Sequence, residues 1–136
     1  MYTSVIIIDD YPINLRIAEM VIKRNGFFDK VSSYSDAERA LCALLINYRD
    51  YKYLPNVILL DLQMPCMDGW QFLDKFEDIK HSLVKHIHIF ILTSSLNDRD
   101  IQRSKQYPSV NKFFSKPLTQ DMLNEIQEIV RLASVS

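Results

Sequence analysis

Val57-Ile58-Leu59-Leu60-Asp61-Leu62-Gln63-Met64-Pro65 decides the fold. Four apolar residues run directly into an acid, and a proline follows four positions later. A run that short, rich in Val, Ile and Leu, reads as a strand buried on both faces, as in a parallel sheet. Asp61 then falls where the strand ends. In open α/β sheets, sites form in the crevice at the carboxyl ends of strands. Asp61 is therefore a candidate reacting group, although a lone strand-end acid also serves to start a turn or cap a helix.

Working outward, Ser4 to Ile8 is a second apolar run that ends in acids, Asp9-Asp10. Pro12 suits the first turn of a helix, where its missing N–H costs little, and Gly26 suits the stop after Asn25. The apolar residues of that helix cover more than one stripe. The excess around Ile13, Ile17 and Met20 reads as a broad core face, with a docking surface as the alternative. Lys30 to Tyr34 is a polar, edge-type strand. Ser35-Asp36-Ala37-Glu38 has the form of a capping box and opens a helix to about Asn47, in which Cys42 reads as a small buried residue. Tyr48 to Pro55 is a surface connection whose three tyrosines are expected to pack on the sheet edge.

Beyond the central strand, Asp68-Gly69 is a turn signal, and a helix is expected over residues 70–79. His88 to Leu92 is a fourth strand ending in Thr93-Ser94-Ser95. A strongly polar helix begins at Asn97 or Asp98 and is terminated by Pro108. Lys112 to Ser115 is a short fifth strand followed by Lys116-Pro117, and a last helix runs over residues 119–133 with Leu123, Ile126 and Val130 inward. Five strands alternating with five helices over short links imply right-handed βαβ crossovers and a parallel sheet covered on both faces.

Composition narrows the function. The 136 residues suit a single domain with one core of its own, with no output domain expected after Ala133. A formal net charge of −1 supplies no global basic field for nucleic acid. No apolar run approaches the roughly 20 residues of a bilayer span, so no membrane partner is expected. Cys42 and Cys66 show no metal-ligand spacing, and a reduced cytoplasmic chain is the expectation. With only Gly26 and Gly69, a glycine-rich phosphate loop is excluded.

The strand ends carry Asp9 and Asp10, Asp61, Thr93 and Lys116, and in a doubly wound sheet they share one crevice. Clustered carboxylates raise one another's pKa or recruit a cation. An incomplete all-oxygen cage suits Mg²⁺, which keeps waters and accepts phosphate oxygens. Lys116 is a point charge for a phosphoryl oxygen, and the Thr93 hydroxyl donates to another. Asp61, kept ionised by the metal, can attack phosphorus and become an aspartyl phosphate.

These motifs together, Ile7-Ile8-Asp9-Asp10, Ile58 to Pro65 with Met67-Asp68-Gly69, Ile91-Leu92-Thr93-Ser94 and Phe113-Phe114-Ser115-Lys116-Pro117, resemble the receiver domains of two-component response regulators. The resemblance spans essentially the whole chain. It implies a flavodoxin-like (βα)5 doubly wound parallel sheet of order 2-1-3-4-5. It implies phosphorylation of Asp61 from a phosphohistidine of a sensor histidine kinase or histidine phosphotransfer protein. Mg²⁺ would be held by Asp10, Asp61 and the main-chain carbonyl of Gln63, with Asp9 acting largely through water. Thr93 and Lys116 would hold the phosphoryl group, and the Lys116-Pro117 bond would be cis. Thr93 and Phe113 would form the switch, Phe113 standing where relatives carry an aromatic three residues before the lysine. Gln63 and Ser95 lie where relatives tune phosphate hydrolysis. The fourth helix, fifth strand and fifth helix would form the output face toward a downstream protein.

Two other functions compete with a stand-alone phosphoacceptor. A haloacid-dehalogenase-type phosphatase also uses a strand-end Asp, Mg²⁺, Thr and Lys, but needs a second acid two residues after the nucleophile, where this chain has Gln63. A receiver cut from a hybrid kinase or longer regulator would share every motif.

Overall fold

The computed structural model describes residues 2–94 and 97–135. Its elements are β1 (Ser4–Ile8), α1 (Pro12–Asn25), β2 (Lys30–Tyr34), α2 (Ala37–Ile46), β3 (Val57–Leu60), α3 (Gly69–Ile79), β4 (His88–Thr93), α4 (Asp98–Ser104), β5 (Val110–Ser115) and α5 (Gln120–Val135). A 3-10 turn, Lys80–Ser82, follows α3. All neighbouring strands pair in parallel, in the order β2-β1-β3-β4-β5. This is the flavodoxin-like doubly wound sheet that the resemblance implies.

Strand alternation explains the unbroken apolar runs of β1, β3 and β4: residues 5–8, 57–60 and 89–92. Successive side chains point to opposite faces, so each strand feeds two cores. Ile6, Ile8, Ile58, Leu60, Ile89 and Ile91 face Leu41 and Leu44 of α2 and Phe72 and Phe76 of α3. Val5, Ile7, Val57, Leu59, Phe90 and Leu92 face Ala18 and Ile22 of α1 and Leu123, Ile126 and Val130 of α5. Only the two edge strands, β2 and β5, carry exposed residues.

The helix ends follow local chemistry. Gly26 closes α1 in the left-handed conformation at φ 81°, with its N–H on the Ile22 carbonyl. Asp68 caps α3 in a reciprocal box with Gln71, at 2.8 and 2.9 Å. Asn97 caps α4. The cap of α2 is Asp36 rather than the expected Ser35: its carboxylate accepts from the N–H groups of Glu38 and Arg39. A carboxylate facing a helix N-terminus also gains from the dipole, which a hydroxyl does not.

Four other expectations are corrected. Cys42 is exposed, because the inward stripe of α2 is Ala37, Ala40, Leu41 and Leu44, and position 42 lies off it. Ile13, Ile17 and Met20 are 59%, 40% and 56% exposed, so they form a surface and not a wide core face. Of the connection's tyrosines only Tyr53 packs on the edge strand, its hydroxyl 3.1 Å from that of Tyr34; Tyr48 and Tyr51 are exposed. Burial and this bond push the Tyr34 hydroxyl up to about 12. β5 begins at Val110, two residues earlier than expected, because a register shift between Ile89 and Phe90 realigns it with β4.

α4 is the shortest helix and rests on α3 through side chains. Arg103 lies over the Trp70 ring at 4.4 Å, Tyr107 is 5.8 Å from the same ring, and the Tyr107 hydroxyl donates to Asp74. The helix stops at Ser104, with turn bonds carrying the chain to Tyr107 before Pro108. No described helix is long and apolar enough to cross a membrane.

Candidate functional site

The parallel register places the acids. Ile8 pairs with Leu60, so Asp9 and Asp61 leave adjacent strands side by side. The Asp61 N–H donates to the Ile8 carbonyl and the Asp9 N–H to the Tyr34 carbonyl, fixing both backbones. One carboxylate oxygen each from Asp9, Asp10 and Asp61 lie within 4.8 Å of one another. Asp9 and Asp61 are buried, and Asp10 is the most open of the three.

Lys116 enters the same crevice from the end of β5. Its ammonium is 2.5 Å from Asp9 and 3.5 Å from Asp61. The Lys116 N–H donates to the Thr93 carbonyl at 2.8 Å, and Thr93 pairs with Ser115, so the ends of β4 and β5 are locked together. Thr93 is buried at that point, and the Lys116–Pro117 peptide is cis. Asp9 also accepts from the Tyr11 N–H at 2.9 Å. Burial raises the Asp61 pKa above the ordinary carboxylate value; Lys116 opposes this, the Asp9 charge adds to it, and the Gln63 amide opposes it again.

The donor set fits a hard divalent cation. Three carboxylates at this spacing carry more negative charge than one lysine balances. Oxygen-only donors, one of them open to solvent, match the incomplete cage that Mg²⁺ occupies. Gln63 meets the site through its backbone, next to the Asp61 carboxylate. Ser95 lies outside the described residues.

Gly69 belongs to the site in a way its reading as a turn residue missed. A Cβ built there would stand 2.6 Å from the Asp61 carbonyl oxygen and 2.8 Å from the Leu62 Cα. Its N–H donates to the Leu62 carbonyl at 3.0 Å. The start of α3 is thereby pressed against the backbone that carries Asp61. The signal available in the sequence was the rarity of glycine in this chain.

Two cavities share Ile17 and Leu118, and the first reaches the acids. One, of about 220 Å³, is bounded by Asp9, Lys116, Ile17 and Leu118; its neighbour, about 240 Å³, by Ile17, Met20, Arg24 and Leu118. The exposed apolar side chains of α1 therefore continue to the rim of the carboxylate pocket.

The chain belongs to the response regulator receiver domain family, which it matches over residues 5–128. It is 26% identical over 126 residues to the probable methanogenesis regulatory protein FilR2 of Methanothrix harundinacea, covering 92% of this chain and 79% of that protein. It is 30% identical over 123 residues to the response regulator PleD of Caulobacter vibrioides, covering 90% of this chain but 25% of PleD. A two-component response regulator from Cytophaga hutchinsonii superposes with a TM-score of 0.87 at 26% identity, over 95% of this chain and 96% of that one. Domains of this family are phosphoacceptors of two-component phosphorelays and work with histidine kinases or phosphotransfer proteins.

Proposed function

We propose that Asp61 is the residue that accepts the phosphoryl group, from a phosphohistidine, with Mg²⁺ bound by Asp9, Asp10, Asp61 and the Gln63 carbonyl. The observation that carries this reading is the crowding of three carboxylates and one lysine at the ends of β1, β3 and β5. When bound, the metal screens the carboxylates and neutralises charge on the phosphoryl oxygens. An Asp61 oxygen forms the new bond to phosphorus as the bond to the imidazole nitrogen of the donor breaks, and the imidazole keeps the electron pair. Lys116 turns from Asp9 toward a phosphoryl oxygen, and the Thr93 hydroxyl donates to another. Thr93, drawn toward the phosphate, leaves room that Phe113 fills. Phe113 is partly buried against the α2–α3 core, and without a hydroxyl its inward position depends on apolar contact alone.

A donor histidine has to be brought close to Asp61. The apolar surface of Ile13, Ile17 and Met20, continuous with Leu118 at the pocket rim, supports docking of the kinase or phosphotransfer protein there. The face of α4, β5 and α5 is the output surface toward a downstream protein. The chain acts in the cytoplasm as a phosphorylation-dependent switch rather than as an enzyme with a separate substrate. A receiver carried by a longer regulator or hybrid kinase would switch in the same way.

The test is incubation with Mg²⁺ and acetyl phosphate, read by intact mass and by lability to hydroxylamine. One phosphoryl group is expected, absent in Asp61→Asn. A group retained in that variant would falsify the assignment, and sustained turnover of small phosphate esters would favour a phosphatase.

A further inference from the structure

The opposite end of the sheet holds a second cluster of chemistry-bearing side chains. All three histidines of the chain fall in the eight residues His81 to His88. His86 and His88 are two apart on the extended chain entering β4, so they project to the same side while Ile87 turns into the core. Their rings meet edge to face, with centroids 4.6 Å apart. A cavity of about 390 Å³ lies against both, bounded also by Lys85, Asn56, Tyr51 and Val130.

The hydrogen bonds decide what this cavity offers. His88 Nδ1 is 3.2 Å from the Asn111 side-chain oxygen, and an amide oxygen only accepts. The proton therefore sits on Nδ1, and Nε2 keeps a lone pair. Among the described residues no sealed polar side-chain atom lacks a partner, and His88 Nε2 bonds to none of them, so Nε2 is open to solvent in the cavity. An imidazole held through its second nitrogen by a carbonyl oxygen is the arrangement that orients metal-ligating histidines. Burial, and then the charge of His86, hold His88 below its ordinary pKa, which keeps it neutral.

Lys85 excludes the obvious rival, an anion. Its three N–H donors are all engaged, by the carbonyls of Tyr51 and Leu54 and by the Asn56 side-chain oxygen, at 3.2, 2.8 and 3.2 Å. What stays open is the His88 Nε2 lone pair, with the exposed His86 ring against it. We propose that His86 and His88 form a binding site for a late divalent transition ion, with water completing its coordination. Imidazole donors favour ions high in the Irving–Williams order, Cu²⁺ above Ni²⁺ and Zn²⁺, and the nearby Lys85 charge weakens all of them alike.

The experiment titrates the intact protein with Cu²⁺ under saturating Mg²⁺, which keeps the carboxylate pocket occupied. Calorimetry gives the affinity, and electron paramagnetic resonance counts the nitrogen ligands. One equivalent with two nitrogen ligands is expected. His86→Ala, at an exposed position that does not threaten folding, weakens it by roughly tenfold or more, and Asn111→Ala by about 10–100-fold. His81→Ala leaves it unchanged. Equal affinity in wild type and His86→Ala, or a spectrum without two nitrogens, overturns the proposal.

Discussion

Lys116 and Lys85 sit at opposite ends of one parallel sheet, both largely withdrawn from solvent, and they are held by opposite kinds of partner. Lys116 faces two carboxylates, Asp9 and Asp61, in a pocket with surplus negative charge. Lys85 has three neutral oxygens and, among the described residues, no carboxylate. A charge paired with other charges can exchange partners when a new anion arrives. A charge solvated by fixed carbonyls is part of the framework, and burial holds its pKa below the ordinary lysine value. The C-terminal end of the sheet is thus built to change state and the N-terminal end to hold still.

The strongest way to break this contrast is Asp61→Asn. Phosphoryl incorporation from acetyl phosphate, followed by mass, should fall to nothing while the fold, followed by circular dichroism, survives. Next comes Lys85→Met, which strips donors from two backbone carbonyls and Asn56. A loss of about 2–3 kcal/mol is expected in urea unfolding, from buried acceptors left without partners. Lys116→Met should behave differently: its stability deficit should be largely recovered on adding Mg²⁺, whereas that of Lys85→Met should not. Gly69→Ala should cost about 1–3 kcal/mol, because the two atoms nearest the new methyl belong to the Asp61 and Leu62 backbone, which cannot swing aside. Phosphorylation of Asp61 should slow with it.

The smallest effects are in the pH dependence, and the two ends should differ in sign. The folded pKa of Asp61 is raised from 3.8, so its contribution to stability is full below 3.8 and is lost as pH rises through the folded value. The folded pKa of His88 is lowered from 6.5, so its contribution is present above 6.5 and is lost as pH falls through the folded value. In metal-free protein, Asp61→Asn should remove the first trend and His88→Gln the second, each read from urea midpoints across pH. Mg²⁺ should erase the Asp61 trend alone.

The same contrast explains what could be read without coordinates. Strands buried on two faces carry unbroken apolar runs, so β1, β3 and β4 stand out in the sequence, as do the acids that follow β1 and β3. Parallel register then does the rest, since Asp9 and Asp61 cannot leave neighbouring strands without meeting. The N-terminal end carries no such signature. Lys85 binds carbonyls, which every residue possesses, so no spacing announces it. Which residues of α1 are covered depends on how the helix is rotated over the sheet, and Ile13, Ile17 and Met20 read as core until that rotation is known. Between Ser35 and Asp36 the cap was decided by a one-residue offset, below what a capping pattern resolves. Gly69 was legible as a turn but not as a point of close approach, because the Asp61 carbonyl it meets is brought there by the tertiary fold.

Trp70 is the lone indole of the chain, wedged at the junction where Arg103 and Tyr107 bring α4 onto α3. A guanidinium and a phenol against an indole alter its emission, and both come from the segment that leads from α4 into β5. The molecule therefore carries its own optical gauge: any displacement of that segment registers as a change in tryptophan brightness, with no dye attached.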